Sequence, residues 1–412
     1  MTIREQFVIP KRYNTISLAL MAIGVLAIIG LYITHGAKED AHSQARFWSS
    51  LLHNSVYFLL VVNAAMFFVC ATVLAWGGWT IAFRRIPEAI SAVVPVLSVI
   101  CGAILIAIVF TDQHAIYHWI HPEGDSILEY KSFFLNKNFF VIWTVLTLVA
   151  WSLLGRKMRK LSQSLDNAPL KTIEEGKKYI WKNTVWAALY LVVFALTVMS
   201  TIPWLWLMSI DAHWYSTMYS WYTFASTFVA GLSLICLYFV YMKNNDYLEL
   251  ATEEHLHDIG KFMFAFSIFW TYLWYSQFML IWYANIPEET IYFKPRVQGP
   301  YSGIFWLMFL INFIAPLLIL MRKGSKKNYG TITFMAVLLL FGHWLDFFQM
   351  VFPSPMKDEV TGETHVPLML YDLAIALGFV GVIMFVTGRA LAKVPLLAKN
   401  HPFVKESVIH HT

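Results

Sequence analysis

The sequence predicts an all-α integral membrane protein, and three observations lead to this fold class. Hydrophobic residues make up 58% of the 412 positions, charged residues only 13%, and the mean hydropathy is +0.58. A water-soluble globule of this length needs more polar surface than this composition provides. Apolar runs of about 20 residues, the length that crosses a hydrocarbon layer of about 30 Å, also recur along the whole chain.

Ten such runs predict ten transmembrane helices in a single membrane domain, residues 1–412. The first run follows a short basic stretch, but it is too long for a signal peptide and no small-residue cleavage site follows it, so we expect it to remain in the protein. The predicted spans are Ile16–Thr34, Ser50–Trp76, Ala89–Phe110, Phe134–Leu154, Thr184–Met199, Trp221–Tyr241, Lys261–Tyr283, Tyr301–Met321, Thr331–Phe352 and Pro367–Thr387.

The basic residues predict the orientation of these spans. Of the 30 Lys and Arg residues, 23 fall in the loops and tails on the same side as the N-terminus and 7 in the loops on the other side, when Lys261 and Lys137, near the ends of the seventh and fourth spans, are counted with the adjacent loops. The positive-inside rule therefore places both termini in the cytoplasm and leaves no Lys or Arg in an apolar core. The net charge of +5 arises from these cytoplasmic loops, which suit lipid headgroups and give no indication of nucleic-acid binding.

The second and sixth spans begin with similar strings, "RFWSSLLHNSVYF" and "AHWYSTMYSWYTF". At an offset of 166 residues, Trp48 matches Trp214, and two further identities follow. The same offset places the third span on the seventh and the fourth on the eighth. We therefore predict two four-helix repeats, residues 50–199 and 221–352, flanked by one helix at each end. Membrane proteins often hold a site between such repeats.

Redox centres are not expected in this chain. Its cysteines, Cys70, Cys101 and Cys236, lie singly in apolar runs and form no CxxC pair, so no thiolate cage for an iron–sulfur cluster and no attachment for haem c is present. A haem b would need two histidines at equal depth on facing spans, and only His53 and His343 come near this arrangement. Any haem or iron–sulfur cluster therefore belongs to partner subunits.

The ninth and tenth spans carry ionisable residues where apolar ones are expected. By helical rise, His343 lies roughly 18 Å and Asp346 roughly 22 Å from the cytoplasmic start of the ninth span, whereas Asp372 lies about 9 Å below the outer surface. His53 falls in the same layer. Because an ionised aspartate in hydrocarbon costs a few kcal/mol or more, such residues usually mark proton or substrate routes. We predict that these four side chains share an outward-facing, protonatable pocket.

A simpler role is also open for His343, which could only lock helix packing through a hydrogen bond to Asp346. Asp211 and His213, in the loop after the fifth span, are candidates for a proton exit just above the pocket. Glu88 and Asp258, at the cytoplasmic ends of the third and seventh spans, are candidates for proton uptake from inside. A helix N-terminus stabilises such carboxylates whether or not they carry protons.

The outer loop "TDQHAIYHWIHPEGD" contains His114, His118 and His121 at helical spacing. Imidazoles bind zinc or copper, but a metal site needs further ligands, and the chain has no second cluster to supply them. We therefore predict an interfacial histidine cluster and no metal site.

Two strings, "WLMSIDAHWYSTMYSWYTF" (Trp206–Phe224) and "GHWLDFFQMVFP", together with the ten-span layout, resemble the NrfD-like family of polysulfide-reductase-type membrane subunits. Within this family, the chain is most similar to the smaller NrfD-like subunit of bacterial alternative complex III. One departure from the family pattern is Leu205, because an acidic residue often precedes the tryptophan of "WLMS" in the family. This departure leaves more of the predicted proton transfer to His343, Asp346 and Asp372.

The resemblance implies a subunit of a quinol:cytochrome c oxidoreductase in a bacterial inner membrane, catalytic only together with its partners. Quinol, implied to be menaquinol, would be oxidised near the periplasmic face, beside His343, Asp346, Asp372 and His53. The implied partners are a second NrfD-like subunit, an iron–sulfur subunit related to molybdopterin enzymes, c-type cytochromes and a terminal oxidase.

Two other functions are compatible with the residues. The first is a proton-coupled secondary transporter, although no pair of Gly/Pro-broken spans occupies matching positions in the two repeats. The second is a purely structural anchor that holds redox subunits at the membrane.

Overall fold

Long helices form the fold in the computed structural model, which describes residues 5–122, 124–167, 169–357 and 364–411. Nine helices in this part of the chain are long and apolar enough to cross a membrane, and a tenth long helix, α7, is less apolar. In chain order the helices are α1 (Lys11–Gly36), α2 (Ala41–Leu74), α3 (Arg85–Phe110), α4 (Lys137–Asp166), α5 (Ile173–Trp206), α6 (Tyr219–Asn244), α7 (Glu253–Ala284), α8 (Ser302–Leu320), α9 (Tyr329–Val351) and α10 (Leu370–Ala392).

Helix α7 has 32 residues and covers the predicted seventh span. Its apolar stretch is rich in Trp and Tyr, including Trp270, Trp274 and Tyr275, and these residue types lower the mean hydropathy although their rings pack well in a membrane protein. The helix contacts α6 on one side and α8 on the other. The predicted helix is therefore present, and its crossing of the membrane stays a prediction.

The helices pack as two groups of four. In the first group α2 contacts α3 and α5, and α4 contacts α3 and α5, so the group closes on itself. In the second group α6 contacts α7 and α9, and α8 contacts α7 and α9. Helices α2 and α6 also contact each other and join the two groups. They are the most buried of the nine apolar helices, since 78% and 89% of their most apolar stretches are inside the protein.

Helices α1 and α10 lie together beside these two groups. They meet at two glycines, Gly24 and Gly378, where an added Cβ on Gly24 would lie 2.4 Å from the Cα of Gly378. No side chain fits between backbones this close, so the glycines permit the contact. Only 22% of the most apolar stretch of α1 is buried, so this contact supplies most of its packing.

Both chain termini lie at one end of the helix bundle, which we call the inner end. Gln6 forms an antiparallel bridge with Pro395, and the amide of Leu396 donates to the carbonyl of Glu5 over 2.8 Å. Ser407, further along the C-terminal segment, donates to the carbonyl of Trp79 in the loop after α2. The opposite end of the bundle is the outer end. The assignment of the inner end to the cytoplasm stays a prediction.

Helix α2 begins nearer the outer end than the sequence predicted, at Ala41 instead of Ser50. The start is set by Asp40, whose side chain accepts a hydrogen bond from the amide of Ser43 over 2.8 Å, an N-cap. As a result Arg46 lies on the helix and is buried, only 4% exposed. The sequence placed Arg46 in the loop before the second span, and this assignment is wrong because the helix begins five residues before it.

Candidate functional site

His343 and Asp346 lie on one face of α9, as their spacing of three residues predicted. Both side chains are completely buried, and the His343 Nδ1 and an Asp346 carboxylate oxygen are 4.0 Å apart. The face points toward α6 and α7, because the partners of both residues come from these two helices.

The Asp346 carboxylate accepts hydrogen bonds from three neutral donors. Ser226 on α6 donates to Oδ2 over 2.8 Å, and the Trp270 indole on α7 donates to the same oxygen over 2.9 Å. The Tyr222 hydroxyl on α6 donates to Oδ1. Among the described residues, no Lys or Arg forms an ion pair with Asp346. We call Asp346, Tyr222, Ser226, Trp270 and His343 the Asp346 group.

His343 joins this group through Ser226, whose Oγ lies 3.0 Å from the His343 Nδ1. A hydroxyl has one hydrogen, so when Ser226 donates to Asp346 the Nδ1 of His343 must be the donor to Ser226. The Trp270 ring packs edge-on against the imidazole with 5.6 Å between centroids. The His343 Nε2 is buried without a hydrogen-bond partner in the described part of the chain.

Asp372 at the start of α10 has a different environment, with a cation in contact. Its two oxygens accept from the Arg46 guanidinium over 3.1 and 2.6 Å, and Ser50 on α2 donates to it over 2.7 Å. Arg46 also donates to the carbonyl of Leu368 and faces the Phe352 ring. This ion pair is buried on both sides, with 5% and 0% of the side chains exposed. Arg46, Ser50 and Asp372 form the Asp372 group.

His53 lies on α2 one turn below Ser50 and is completely buried. Its Nε2 is 2.9 Å from the Trp344 carbonyl, which can only accept, so Nε2 carries the hydrogen. Asn54 links the Asp372 group to α9, because it donates to the Ser50 carbonyl and accepts from the Trp344 indole. The Nδ1 of His53 has no hydrogen-bond partner within the described residues.

The four predicted site residues therefore do not share one pocket. Asp346 and His343 face α6 and α7, whereas Asp372 and His53 lie with α2 on another side of α9. The single-pocket expectation is wrong because equal depth in a membrane does not fix the direction in which a side chain points. The prediction also missed Arg46, which forms a buried ion pair with Asp372.

The predicted exit residues bind different partners. Asp211 pairs with Arg296 over 3.2 Å and is 20% exposed, whereas His213 pairs with Asp125 over 2.5 Å. The hydrogen bond from His213 lowers the pKa of the Asp125 carboxyl. Arg296 is buried, donates to the Gln349 carbonyl over 2.8 Å and so connects Asp211 to α9.

A small cavity of about 20 Å³ lies between Asp346 and Arg296. Three of its lining side chains have buried polar atoms without a partner in the described structure, namely the Trp274 Nε1, the Gln277 Nε2 and the Gln349 Oε1. The volume holds one water molecule, and these two donors and one acceptor match its bonding capacity. Tyr292 also lines the cavity. Burial raises the pKa of its phenol to about 12, so it is a neutral hydroxyl near pH 7.

At the inner end, the candidates for proton uptake are held in ion pairs. Glu88 accepts from Arg84 over 2.8 Å and from Arg85 over 3.0 Å. Asp258 pairs with Lys261 and with His410 of the C-terminal segment, each over 2.5 Å. Both acids therefore have structural partners, and a role in proton uptake stays a prediction.

The rings of the outer-loop histidines pack together: His114 and His118 meet edge-on with 5.1 Å between centroids, and His114 and His121 are stacked with 6.1 Å between centroids. No group of three or more His, Cys, Asp or Glu residues in the described ranges is arranged to hold a metal ion. Leu205, where the family pattern suggests an acid, is completely buried. Its carbonyl accepts a hydrogen bond from Ser209 over 2.6 Å.

A much larger groove of about 950 Å³ runs along the side of the bundle. It is lined by the first and last long helices, α1 and α10, and by α2, α6 and α9. Its inner end is lined by Arg12 and Asn245, and its outer part by Trp344 and Leu373, the residue after Asp372. Tyr57 lies at its floor and donates to the Leu340 carbonyl over 2.6 Å. The groove is mostly apolar, so it suits a hydrocarbon chain.

The sequence analysis missed several residues of these groups: Arg46, Tyr222, Ser226, Trp270 and Arg296. Arg46 had a signal, because "AHSQARFWSS" after Asp40 continues as a helix and puts Arg46 one turn before Ser50. The neutral donors around Asp346 had no recognisable signal in the sequence. Tyr, Ser and Trp are common in the spans, and each of these donors lies more than 70 positions from Asp346 in the chain.

Comparison of the sequence with protein-family models gives no match, and comparison with curated proteins gives none either. The resemblance to the NrfD-like family therefore stays a prediction from the quoted strings.

Proposed function

We propose that this chain is a membrane subunit of a respiratory quinol-oxidising complex and that its Asp346 group carries the released proton toward the outer end. The observation that supports this most directly is the environment of Asp346. It is a fully buried carboxylate that contacts hydroxyl, indole and imidazole groups and, among the described residues, no Lys or Arg. A buried acid without a counter-cation can change its protonation state without breaking an ion pair.

Ser226 provides a relay between the two titratable members of the group. In one arrangement the His343 imidazolium, protonated on both nitrogens, donates from Nδ1 to Ser226, and Ser226 donates to ionised Asp346. In the other, protonated Asp346 donates to Ser226, and Ser226 donates to the Nδ1 of the neutral imidazole, which keeps its hydrogen on Nε2. The two arrangements differ by one proton moved from His343 to Asp346 through a hydroxyl that stays in place. This is the behaviour that a proton-transfer pair requires.

From Asp346, a polar route leads to the outer surface. The cavity beside Asp346 is lined by Gln349 and Arg296, and Arg296 binds Asp211, which is partly exposed. Although burial lowers the pKa of Arg296, the neighbouring Tyr292 and Asp211 raise it above its usual value, so Arg296 stays charged. We propose that one water in the cavity passes the proton from Asp346 toward Asp211.

We propose the groove as the place for the quinol itself. No member of the Asp346 group is in its described lining, so the released proton has to pass α9 to reach that group. The cavity beside Asp346 is too small for a quinone ring, whereas the groove has the volume and the apolar lining that a ring with an isoprenoid chain requires. When bound there, the quinol would supply two electrons and two protons. The electrons would pass to haem or iron–sulfur centres in partner subunits.

The proposed topology has ten crossings with both termini in the cytoplasm. The two ends of the described chain lie together at the inner end, which supports an even number of crossings with α7 as the tenth. The excess of basic residues in the loops and tails assigned to this side supports its placement in the cytoplasm.

The proposal is tested by purification of the protein from mild detergent with the subunits that remain bound. Co-purified cytochrome c and iron–sulfur signals, and quinol oxidation that slows in Asp346→Asn, are the expected results. Unchanged quinol oxidation in both Asp346→Asn and His343→Ala would favour the structural-anchor function. A chain that purifies alone and moves a solute into liposomes would favour the transporter.

A further inference from the structure

A second cavity, of about 470 Å³, lies at the inner end between α3, α4 and α10. It is separate from the Asp346 group and from the groove. Its most prominent feature is its charge, because four basic side chains from three helices line it. They are Arg85, Arg159, Arg389 and Lys393.

The acids in and around this cavity pair with only one of these four charges in the described structure, that of Arg85, which binds Glu88 and, over 2.6 Å, Asp166. Glu88 is the one carboxylate in its described lining, and it already binds Arg84 and Arg85. Among the described residues, Arg159 donates to the carbonyl and hydroxyl of Ser91, over 2.9 and 3.0 Å, and to no carboxylate. In the described chain, no carboxylate forms an ion pair with Arg159, Arg389 or Lys393. The cavity therefore carries a net positive charge.

Two further observations indicate that a ligand belongs there. The Nε of Arg85 is buried and has no hydrogen-bond partner among the described residues, although the side chain is only 1% exposed. The Arg389 guanidinium packs over the Phe385 ring at 3.7 Å, which fixes its position. Arg389 and Lys393 would also favour the C-terminus of α10 as an isolated helix. That effect does not explain why α3 and α4 direct two more arginines to the same cavity.

The lining also has an apolar side. Phe385 and Val386 of α10 and Ala89 and Ala92 of α3 form it, and the basic residues of α10 follow toward the inner end. Positive charge at the end of a membrane helix beside an apolar wall matches an amphiphile with an anionic head. Basic pockets between transmembrane helices on the cytoplasmic side bind such headgroups.

We propose that this cavity binds the phosphate group of an anionic phospholipid, with Arg159, Arg389 and Lys393 around the phosphate oxygens and an acyl chain along Phe385 and Val386. Guanidinium groups suit phosphate because they donate two parallel hydrogen bonds. The site does not depend on the proposed redox function.

The test uses the intact protein, with any subunits that stay bound, in nanodiscs of phosphatidylcholine with added phosphatidylglycerol. Native mass spectrometry counts the phosphatidylglycerol molecules retained. The variant Arg389→Gln/Lys393→Gln removes two charges from exposed side chains, so folding is not at risk. The matched control is Lys177→Gln/Lys178→Gln, two exposed lysines near the start of α5 and outside the cavity. A parallel titration of the protein in neutral lipid uses inorganic phosphate.

We expect the wild type and the control to retain phosphatidylglycerol equally and the cavity variant to bind it at least roughly tenfold more weakly. Equal retention by all three proteins would overturn the proposal. Saturable binding of inorganic phosphate without selective retention of phosphatidylglycerol would overturn the lipid assignment and leave a site for free phosphate. A thermal unfolding midpoint in neutral lipid that is unchanged in the variant shows that the loss is one of binding.

Discussion

Asp346 and Asp372 are two completely buried carboxylates in the outer halves of neighbouring spans, and a sequence reader would treat them alike. Their contacts separate them. Asp372 binds the Arg46 guanidinium through both oxygens, so its charge is compensated where it stands. Asp346 is bound by hydroxyl and indole donors and by no cation in the described residues. The difference supports a structural role for Asp372 and, under the proposed function, leaves proton transfer to Asp346.

The largest expected effect is on stability, from breaking the Arg46–Asp372 pair. Asp372→Asn leaves the Arg46 guanidinium buried without its counter-charge, and the loss of one partner of a buried pair costs about 3–5 kcal/mol. We expect a clearly lower midpoint of thermal unfolding in detergent. The double variant Arg46→Met/Asp372→Leu should recover most of the loss because neither charge remains. A midpoint unchanged by Asp372→Asn would contradict the assignment of this pair as a structural contact.

Asp346→Asn tests whether the second carboxylate, Asp346, acts in proton transfer and contributes little to stability. The variant leaves no cation unpaired, so we expect a stability loss of only about 1–2 kcal/mol, from the indole and hydroxyl donors that now face an amide. Quinol oxidation by the purified complex should fall roughly 100-fold or more, the effect of removing a positioned acid–base group. If Asp346→Asn destabilised the protein as much as Asp372→Asn and left turnover intact, the two acids would have exchanged roles.

Tyr222→Phe removes one of the hydrogen bonds to Asp346 and keeps the ring. A hydrogen bond to a charged group contributes about 1.5–3 kcal/mol, so the ionised form of Asp346 should lose about that much. Infrared difference spectra should show a larger protonated carboxyl band that disappears in the double variant Tyr222→Phe/Asp346→Asn. A matched control is Tyr190→Phe, whose hydroxyl donates to Asn63 in the first four-helix group. An unchanged band would argue against Asp346 as the titrating group.

The smallest expected effect comes from two serines, each of which donates a hydrogen bond to one of the two acids. Ser50 donates to Asp372 over 2.7 Å and Ser226 to Asp346 over 2.8 Å, so the two contacts are closely matched. Each serine-to-alanine change removes a hydrogen bond to a carboxylate, worth about 1.5–3 kcal/mol. Only Ser226→Ala also breaks the relay to His343, so we expect roughly tenfold slower quinol oxidation in this variant alone. Equal turnover in both variants would count against the relay.

The sequence predicted the helical membrane fold and the shared face of His343 and Asp346, because composition and the helical period carry this information. It could not show that Asp372 and Asp346 point to different sides of α9. It also placed Arg46 in a loop, because hydropathy assigns any arginine near a span boundary to water. The partner that makes Arg46 tolerable in the helix, Asp372, lies 326 positions away in the chain.

The contact of Gly24 with Gly378 has a consequence for biogenesis. Helix α1 precedes the other long helices of the described chain, and α10, which supplies most of its packing, follows all of them. During synthesis most of the packing surface of α1 therefore has to wait for α10. A chain without α10 would leave this glycine-containing face uncovered.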